Sequence, residues 1–243
     1  MRREYVNWWS DNLDKKMELI VFGDFGFPYI VFPTSKGRFF EWEDYGMIHA
    51  LKEKIENKII KLYCIDSIDK ESWYAFHHQP PLRLKRHLQW EDYIIKEVIK
   101  FIRKDCRDEN IPIGATGASF GAYHAVNFFF KHPSLFKKIL AMSGIYDIRF
   151  LLHGYHDMDV YYNNPIEFIP NLSDESILSQ LRQSLKINLV TGTGAWEENA
   201  VSSSKNLSDI LNARNIHHNL YVWGPEVEHH WYWWKKQAEM YLE

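Results

Sequence analysis

The fold of this chain is decided by one stretch, Gly117-Ala118-Ser119-Phe120-Gly121, in which a serine lies between two glycines. The apolar run at residues 111–116 predicts a buried strand before it, and residues 122–130 are long enough to form a buried helix after it. A serine at such a strand-to-helix turn is strained, tolerates only small neighbours, and projects its hydroxyl from the sheet. G-x-S-x-G is a weak motif alone, but this context predicts that Ser119 is a nucleophile and not simply a small turn residue.

The elements around this turn predict the fold class. Short apolar segments bounded by turn residues alternate with amphipathic stretches along the chain. Strands are predicted at residues 5–9, 17–22, 29–32, 59–65, 111–116, 139–143, 186–190 and 220–223. Helices are predicted at residues 47–57, 87–104, 122–130, 173–184, 203–214 and 231–241. This alternation indicates an α/β fold with a mostly parallel sheet covered by helices on both faces, and we expect one domain spanning residues 1–243.

Residues 144–171 do not follow this alternation. They are irregular, rich in Tyr, His, Asn, Asp and Pro, and long for a connection in a compact domain. We therefore expect a lid or substrate-binding insertion there. Tyr155 within it, and Trp73-Tyr74 in the loop after the strand at 59–65, are candidates for substrate contact, although simple packing explains them equally well. The basic run at residues 83–86 is expected to be a solvated approach to the following helix.

Composition excludes several classes of partner. The chain has 243 residues, of which 46% are hydrophobic, and this is enough for a sizeable core. A formal net charge of −3 gives no reason to expect a nucleic acid or an anionic membrane as partner. No segment approaches the roughly 18 apolar residues of a membrane span. The histidine pairs at residues 77–78 and 217–218 lack cysteines or carboxylates at ligand spacing, so no metal site is expected.

The cysteines and the first residues bear on location. Cys64 lies in a predicted strand and Cys106 at a charged helix end, so a bridge between them is not expected and a reducing compartment is favoured. Residues 1–5 lack the apolar run of a secretory signal. We therefore expect the protein to be cytoplasmic. The sequence carries no signal for an oligomeric state.

Two later loops supply what a serine nucleophile needs. A serine hydroxyl requires a base within hydrogen-bond reach and an acid that orients the base. In sheets with this turn, the acid and then the histidine follow the serine on loops after later strands. The loop after residues 186–190 delivers Glu197 and Glu198, and the loop after residues 220–223 delivers His229 and His230. The order serine, acid, histidine is a specific signal. The residues alone do not decide which of the two carboxylates is the acid or which of the two imidazoles is the base.

The chain resembles the putative-esterase branch of the α/β-hydrolases, which is related to S-formylglutathione hydrolases, feruloyl esterases and mycobacterial mycolyltransferases. The segments that carry the resemblance are residues 32–44, 117–125, 192–198 and 223–234. The family's base commonly occurs in a His-Asp-Trp-x-x-Trp pattern, which matches residues 229–234 with histidine in place of aspartate at position 230. The resemblance implies an α/β-hydrolase fold, His229 as the base and Glu197 as the acid.

The turn and the resemblance together imply a serine carboxylic ester hydrolase. It would act on a small-molecule ester through an acyl-enzyme, with no metal or organic cofactor. The oxyanion hole is expected to use the backbone N–H of Phe120, directly after the nucleophile, and that of Thr34 or Ser35 in the loop after an early strand. Two alternatives remain, an acyltransferase with the same catalytic groups and a non-catalytic binding module with the hydrolase fold.

Overall fold

The computed structural model describes all 243 residues, which are built around one eight-stranded sheet. The strands are β1 (Arg3–Ser10), β2 (Lys15–Phe22), β3 (Phe27–Phe32), β4 (Ile60–Ile65), β5 (Ile113–Ala118), β6 (Phe136–Met142), β7 (Lys186–Thr191) and β8 (Asn219–Val222). Their order across the sheet is β1-β2-β4-β3-β5-β6-β7-β8. The pairs β1–β2 and β2–β4 are antiparallel and all others are parallel, so the predicted mostly parallel sheet is confirmed.

Helices cover both faces of this sheet. They are α1 (Glu41–Asp44), α2 (Met47–Ala50), α3 (Lys52–Glu56), α4 (Pro80–Tyr93), α5 (Ile99–Cys106), α6 (Phe120–Lys131), α7 (Met158–Tyr162), α8 (Pro165–Phe168), α9 (Glu175–Arg182), α10 (Glu198–Ala213) and α11 (Trp231–Tyr241). The predicted helix at 47–57 is divided into α2 and α3, and α10 begins earlier than predicted. In β3, Ile30 and Phe32 join the larger core while Tyr29 and Val31 join the core on the opposite face.

The predicted helix at residues 87–104 extends further than its periodicity indicated. It begins at Pro80 in α4 and continues through a π-helical turn at Ile94–Val98 into α5. Proline fits the first turn of a helix because the N–H groups there have no partner within the helix. Arg83 consequently lies inside the helix and is only 1% exposed, so the prediction of a solvated run at 83–86 is wrong for this residue. Its guanidinium reaches two backbone carbonyls, and sequence periodicity cannot reveal such a contact.

The irregular segment at residues 144–171 consists of short helical turns. Two 3-10 turns, Ile148–Leu151 and Ile169–Asn171, flank α7 and α8. Phe168 and Ile169 pack into the larger core, while Leu152 packs in a smaller cluster that includes Phe120 of α6. The segment is therefore anchored to the helix that follows the serine. Its role as a lid or substrate-binding insertion stays a prediction.

Two further expectations from the sequence concern membrane-spanning segments and the cysteines. No helix combines the length and the apolar character that a bilayer crossing requires. Cys64 and Cys106 are both free, and the Sγ atom of Cys106 lies 3.2 Å from the hydroxyl of Tyr63. The cytoplasmic location stays a prediction.

Gly121 lets α6 begin directly against the end of β3. A Cβ atom on Gly121 would lie 2.4 Å from the carbonyl oxygen of Phe32 and 2.7 Å from that of Pro33. A Cβ atom on Gly117 would lie 2.4 Å from the carbonyl carbon of Gly121. Only residues without side chains allow these backbones to approach so closely. The turn at Ser119 and the loop after Phe32 are therefore neighbours.

We expect Gly121→Ala to lower the free energy of unfolding by at least about 2 kcal/mol, since the atoms it meets are backbone atoms that cannot move aside. Urea denaturation measures the difference. Gly154→Ala is the control, because nothing lies within 4 Å of its added Cβ and only its φ of +84° opposes the change. That variant should lose about 1 kcal/mol. Equal losses in the two variants would contradict the steric explanation.

Candidate active site

Ser119 lies at the carboxyl end of a central strand in an unusual backbone conformation. It follows the last residue of β5 and precedes the first residue of α6, with φ 54° and ψ −122°. Non-glycine residues rarely adopt positive φ, and such conformations persist only where surrounding structure holds them. Here the backbone N–H of Ser119 donates to the carbonyl of Met142 at 2.9 Å, in the neighbouring strand β6. The side chain is partly exposed, so its hydroxyl is accessible.

A continuous hydrogen-bond chain connects Ser119, His229 and Glu197. The Oγ atom of Ser119 lies 2.9 Å from Nε2 of His229, and Nδ1 of His229 lies 2.9 Å from Oε1 of Glu197. Glu197 is fully buried, whereas the side chain of His229 is about one quarter exposed. With Nδ1–H donating to the carboxylate, Nε2 can accept the serine proton. The structure thus brings together three side chains that are far apart in sequence.

Neutral donors hold the carboxylate of Glu197. Its Oε2 atom accepts hydrogen bonds from the hydroxyl of Thr191 at 2.6 Å and from the N–H of Gly192 at 3.1 Å. Burial alone would raise the pKa of Glu197, but hydrogen bonds from His229, Thr191 and Ser143 outweigh it, and the pKa is lowered. The carboxylate is therefore ionised at neutral pH and oriented towards the imidazole.

The neighbouring candidates have other positions. Glu198 is exposed and begins α10. His230 is exposed and caps α11, where its Nδ1 atom accepts a hydrogen bond from the N–H of Tyr232 at 3.2 Å. Trp234 instead packs edge-on against His229, with ring centroids 4.9 Å apart. Of the two carboxylates and the two imidazoles, the geometry unites Glu197 with His229.

The loop after β3 meets the start of α6, and a carboxylate binds one of its two candidate oxyanion donors. The N–H of Thr34 donates to Oε2 of Glu41 at 2.8 Å, and its hydroxyl donates to Oε1 at 2.6 Å. Of the two N–H groups that the sequence left open, that of Thr34 is therefore already bonded, and the oxyanion hole stays a prediction. Ser35 is exposed, and Phe120 is the first residue of α6, where an N–H has no partner within the helix.

A buried acid–imidazole pair fastens this loop to α6. Lys36, on the other side of Ser35, donates its N–H to Oδ2 of Asp69 at 3.2 Å. Oδ1 of Asp69 lies 3.0 Å from Nε2 of His124, and both side chains are buried. The ring of His124 meets that of Phe120 edge-on at 4.7 Å. These contacts therefore hold the loop after β3 against α6, the helix that follows the serine.

Sequence reasoning missed four residues that support the site: Thr191, Ser143, Glu41 and Asp69. Thr191 had a usable signal, since it lies between the predicted strand at 186–190 and the glycine-rich turn. Ser143 follows β6, Glu41 begins α1 and Asp69 lies in a loop, and all three act through contacts distant in sequence. No local pattern could have identified them.

The predicted substrate-contacting aromatic residues divide into two groups. Trp73 is 0% exposed and packs against His87 and Tyr123, so of the two interpretations left open for it, packing is the one that the structure shows. Tyr74 is partly exposed, and its ring centroid lies 5.2 Å from that of Phe120. Tyr155 is half-buried and borders a cleft near the same edge of the sheet.

The histidine pairs do not form a metal centre. No group of three or more His, Cys, Asp or Glu side chains is arranged to hold a metal ion. His77 and His78 are exposed, and His218 instead contacts the hydroxyl of Ser208 at 2.6 Å.

Comparison with known proteins identifies the family and the fold. The family described as putative esterase matches residues 47–241. No curated protein matches the chain in sequence.

Solved structures resemble this chain over nearly its full length. A ferulic acid esterase has a TM-score of 0.76 at 14% identity, over 99% of this chain and 96% of that one. An S-formylglutathione hydrolase from Agrobacterium tumefaciens has a TM-score of 0.75 at 13% identity, over 99% of this chain and 92% of that one. A fluorophosphonate-binding serine hydrolase from Staphylococcus aureus has a TM-score of 0.69 at 15% identity, over 98% of this chain and 95% of that one. At such identities the likeness shows the fold, and the predicted α/β-hydrolase fold is confirmed.

The buried carboxylate makes a prediction that needs no activity assay. Because the pKa of Glu197 is lowered in the folded protein, its ionised form stabilises the fold above the unfolded-state pKa. This contribution is lost as the pH falls through the folded-state pKa. Glu197→Gln should lower the free energy of unfolding by roughly 1–3 kcal/mol at neutral pH, and by less in acid. Urea denaturation at neutral pH and in acid measures the loss of unfolding free energy under the two conditions.

Glu198→Gln is the matched control for this measurement. Its side chain is exposed at the start of α10, so its removal should change stability little at any pH. If the two variants behaved alike, the contacts assigned to Glu197 would not be contributing to stability.

Proposed function

Because the chain belongs to the putative esterase family and is a serine esterase, we propose that it hydrolyses small carboxylic esters through Ser119, His229 and Glu197. The observation that carries this proposal is the hydrogen-bond chain with its two 2.9 Å contacts. The order serine, acid, histidine along the sequence supports it, as does the position of Ser119 at the carboxyl end of a central strand.

In the proposed reaction, His229 removes the proton from Ser119 as the hydroxyl oxygen attacks the ester carbonyl. Glu197 remains ionised, keeps the proton on Nδ1 of His229 and stabilises the imidazolium that forms. The imidazolium then protonates the departing alcohol, leaving an acyl-enzyme. Water that transfers a proton to His229 attacks this intermediate, and His229 then returns the proton to the Oγ atom of Ser119 as the acid is released. These groups supply a nucleophile, a base and an orienting acid, so we propose a reaction without metal or organic cofactor.

We propose that the backbone N–H groups of Phe120 and Ser35 form the oxyanion hole. Thr34 and Lys36, on either side of Ser35, donate their N–H groups to Glu41 and Asp69. These bonds orient the loop while leaving the Ser35 N–H for the oxyanion. Such donors act mainly in the transition state, where negative charge develops on the carbonyl oxygen.

We also propose that residues 1–243 form one hydrolase domain, in which residues 144–171 form a wall of the substrate site. Leu152 and Tyr155 of this segment pack around the cluster that contains Phe120. Tyr74 lies on the same side, where its hydroxyl is 2.9 Å from Oγ of Ser35. Tyr74 and Tyr155 are therefore the aromatic residues that we assign to substrate contact.

For the whole domain we propose a cytoplasmic setting, in keeping with its two free cysteines.

The assignment of nucleophile and base is tested with a fluorophosphonate probe and a short p-nitrophenyl ester. We expect labelling at Ser119 and none in Ser119→Ala. His229→Gln should lower kcat by about 10⁴-fold or more, because a serine without its base is a poor nucleophile. His230→Gln is the control and should change kcat little, because its side chain is an exposed helix cap.

Three other outcomes would redirect the proposal. Neither labelling nor turnover in the wild type would favour a binding module. A loss confined to His230→Gln would move the base to that residue. A new ester that accumulates when an alcohol acceptor is added would identify an acyltransferase.

The oxyanion loop gives a separate prediction. Glu41→Ala removes the carboxylate that holds both polar groups of Thr34, so the neighbouring Ser35 N–H should lose its position. We expect kcat to fall by about 10–100-fold with a smaller change in KM, because the donor acts mainly in the transition state. Steady-state kinetics on the same p-nitrophenyl ester measure both constants.

Glu43→Ala is the control for the same short helix. Glu43 pairs with Arg3 at the surface and has no contact with the loop, so its removal should leave kcat unchanged. An unchanged kcat in Glu41→Ala would show that the loop does not depend on this carboxylate.

A further inference from the structure

A cleft lined by positive and hydrogen-bond-donating groups lies beside the proposed catalytic groups. It has a volume of about 530 Å³ and lies between the start of α4 and residues 152–155. His77, His78, His153 and Arg83 contribute to its lining, and none of its lining residues carries a carboxylate. A cleft of this size accommodates a small organic ligand. Its chemistry favours an anion.

Arg83 provides the permanent charge of this cleft. It is only 1% exposed, and its hydrogen bonds go to backbone carbonyls and not to an Asp or Glu carboxylate. Its two Nη atoms donate to the carbonyl oxygens of Trp73 at 2.7 Å and Leu151 at 2.9 Å, while Nε has no partner. Burial lowers the pKa of the guanidinium, yet arginine stays charged in proteins. A buried cation without a counter-charge is costly, and a bound anion would compensate it.

The first turn of α4 adds to the positive potential. Gln79, Pro80 and Pro81 line the same cleft, and Gln79 is the N-cap of this 14-residue helix. The amino-terminal end of a helix attracts negative charge because its peptide dipoles are aligned. The side chain of Gln79 makes no capping hydrogen bond. Helix end, guanidinium and imidazoles therefore all favour an anion in the same space.

A row of three aromatic rings leads from the cleft to the serine. Phe76 in the wall of the cleft packs against Tyr74 with ring centroids 6.0 Å apart, and Tyr74 packs against Phe120 at 5.2 Å. Phe120 directly follows Ser119. A substrate that occupies both places therefore needs a chain long enough to cross these ring spacings.

We propose that this cleft binds a carboxylate group of the substrate, so that the enzyme prefers esters carrying a carboxylate several bonds from the ester carbonyl. This inference rests on the proposed esterase activity and names its substrate class. One buried guanidinium balances one negative charge, which suits a carboxylate better than a phosphate dianion. Each Nη atom of Arg83 carries a second N–H beyond the one bonded to a carbonyl, and a charged N–H donor forms a strong hydrogen bond with a carboxylate.

The test compares two substrates that differ only in charge, mono-p-nitrophenyl sebacate and its neutral methyl ester, whose chain is long enough to reach from the serine to the cleft. We expect the anionic ester to have a KM about tenfold lower or more, the size of effect that one charge-assisted hydrogen bond produces. Added salt should reduce the difference. The pair 10-acetoxydecanoate and its methyl ester places the carboxylate on the alcohol side. A preference in either pair supports the cleft and identifies the part bound, while equal KM values in both overturn it.

Variants of the cleft provide an independent comparison. Arg83→Gln should bring the ratio of the two KM values close to one. Gln79→Glu adds a carboxylate to the lining and should also reduce the ratio. An acidic N-cap suits a helix, so this exposed change should not impair folding. Gln89→Glu makes the same change on the same helix outside the cleft and should leave the ratio unchanged. An equal reduction in Gln89→Glu would indicate general charge repulsion and overturn the site.

A binding measurement separates this inference from the proposed activity. In Ser119→Ala, monomethyl sebacate should raise Tm, and Arg83→Gln in the same background should abolish the rise. A rise in Tm together with no turnover in the wild type would retain the cleft and reject the activity. Turnover of both esters with equal KM and no rise in Tm would retain the activity and reject the cleft.

Discussion

The contact between the first turn of α6 and the end of β3 determines the geometry of this site. Gly121 lies so close to the carbonyls of Phe32 and Pro33 that no side chain fits between them. The serine therefore turns sharply out of β5 with a positive φ, and the first N–H groups of α6 lie beside the loop that follows β3. A wider separation would relax the serine and move the loop after β3 away from it.

The three carboxylates around the serine are hydrogen-bonded without lysine or arginine side chains. Glu197 accepts hydrogen bonds from an imidazole, a hydroxyl and a backbone N–H, and Glu41 accepts from the N–H and hydroxyl of Thr34. Asp69 accepts from a backbone N–H and contacts His124. Short bonds to neutral donors restrain both partners in a low-dielectric interior, so these networks make the loops rigid. Arg83 presents the opposite case, a buried cation that no carboxylate neutralises.

The sequence predicted what depends on local pattern and chain order. Strand alternation gave the sheet, and the serine turn with its two later loops gave the three side chains that the structure brings together. Residues whose role depends on burial or on distant contacts were left open or predicted wrongly. Trp73 was left between substrate contact and packing and is in the core, Thr34 was one of two possible oxyanion donors and its N–H is bonded to Glu41, and Arg83 was expected in solvent and is inside a helix. Periodicity reports which face of an element is apolar, and it does not report which carbonyl or carboxylate a polar side chain meets.

The separation between the cleft and the catalytic groups has a consequence for how such a protein diversifies. The hydrogen-bond chain of Ser119, His229 and Glu197 includes no residue that lines the cleft. Arg83, in the lining, is held separately by the carbonyls of Trp73 and Leu151. Mutations in those walls can therefore accumulate while the reaction machinery stays intact. Divergence, or a directed-evolution experiment, can change the compound that is cleaved without having to re-establish how it is cleaved.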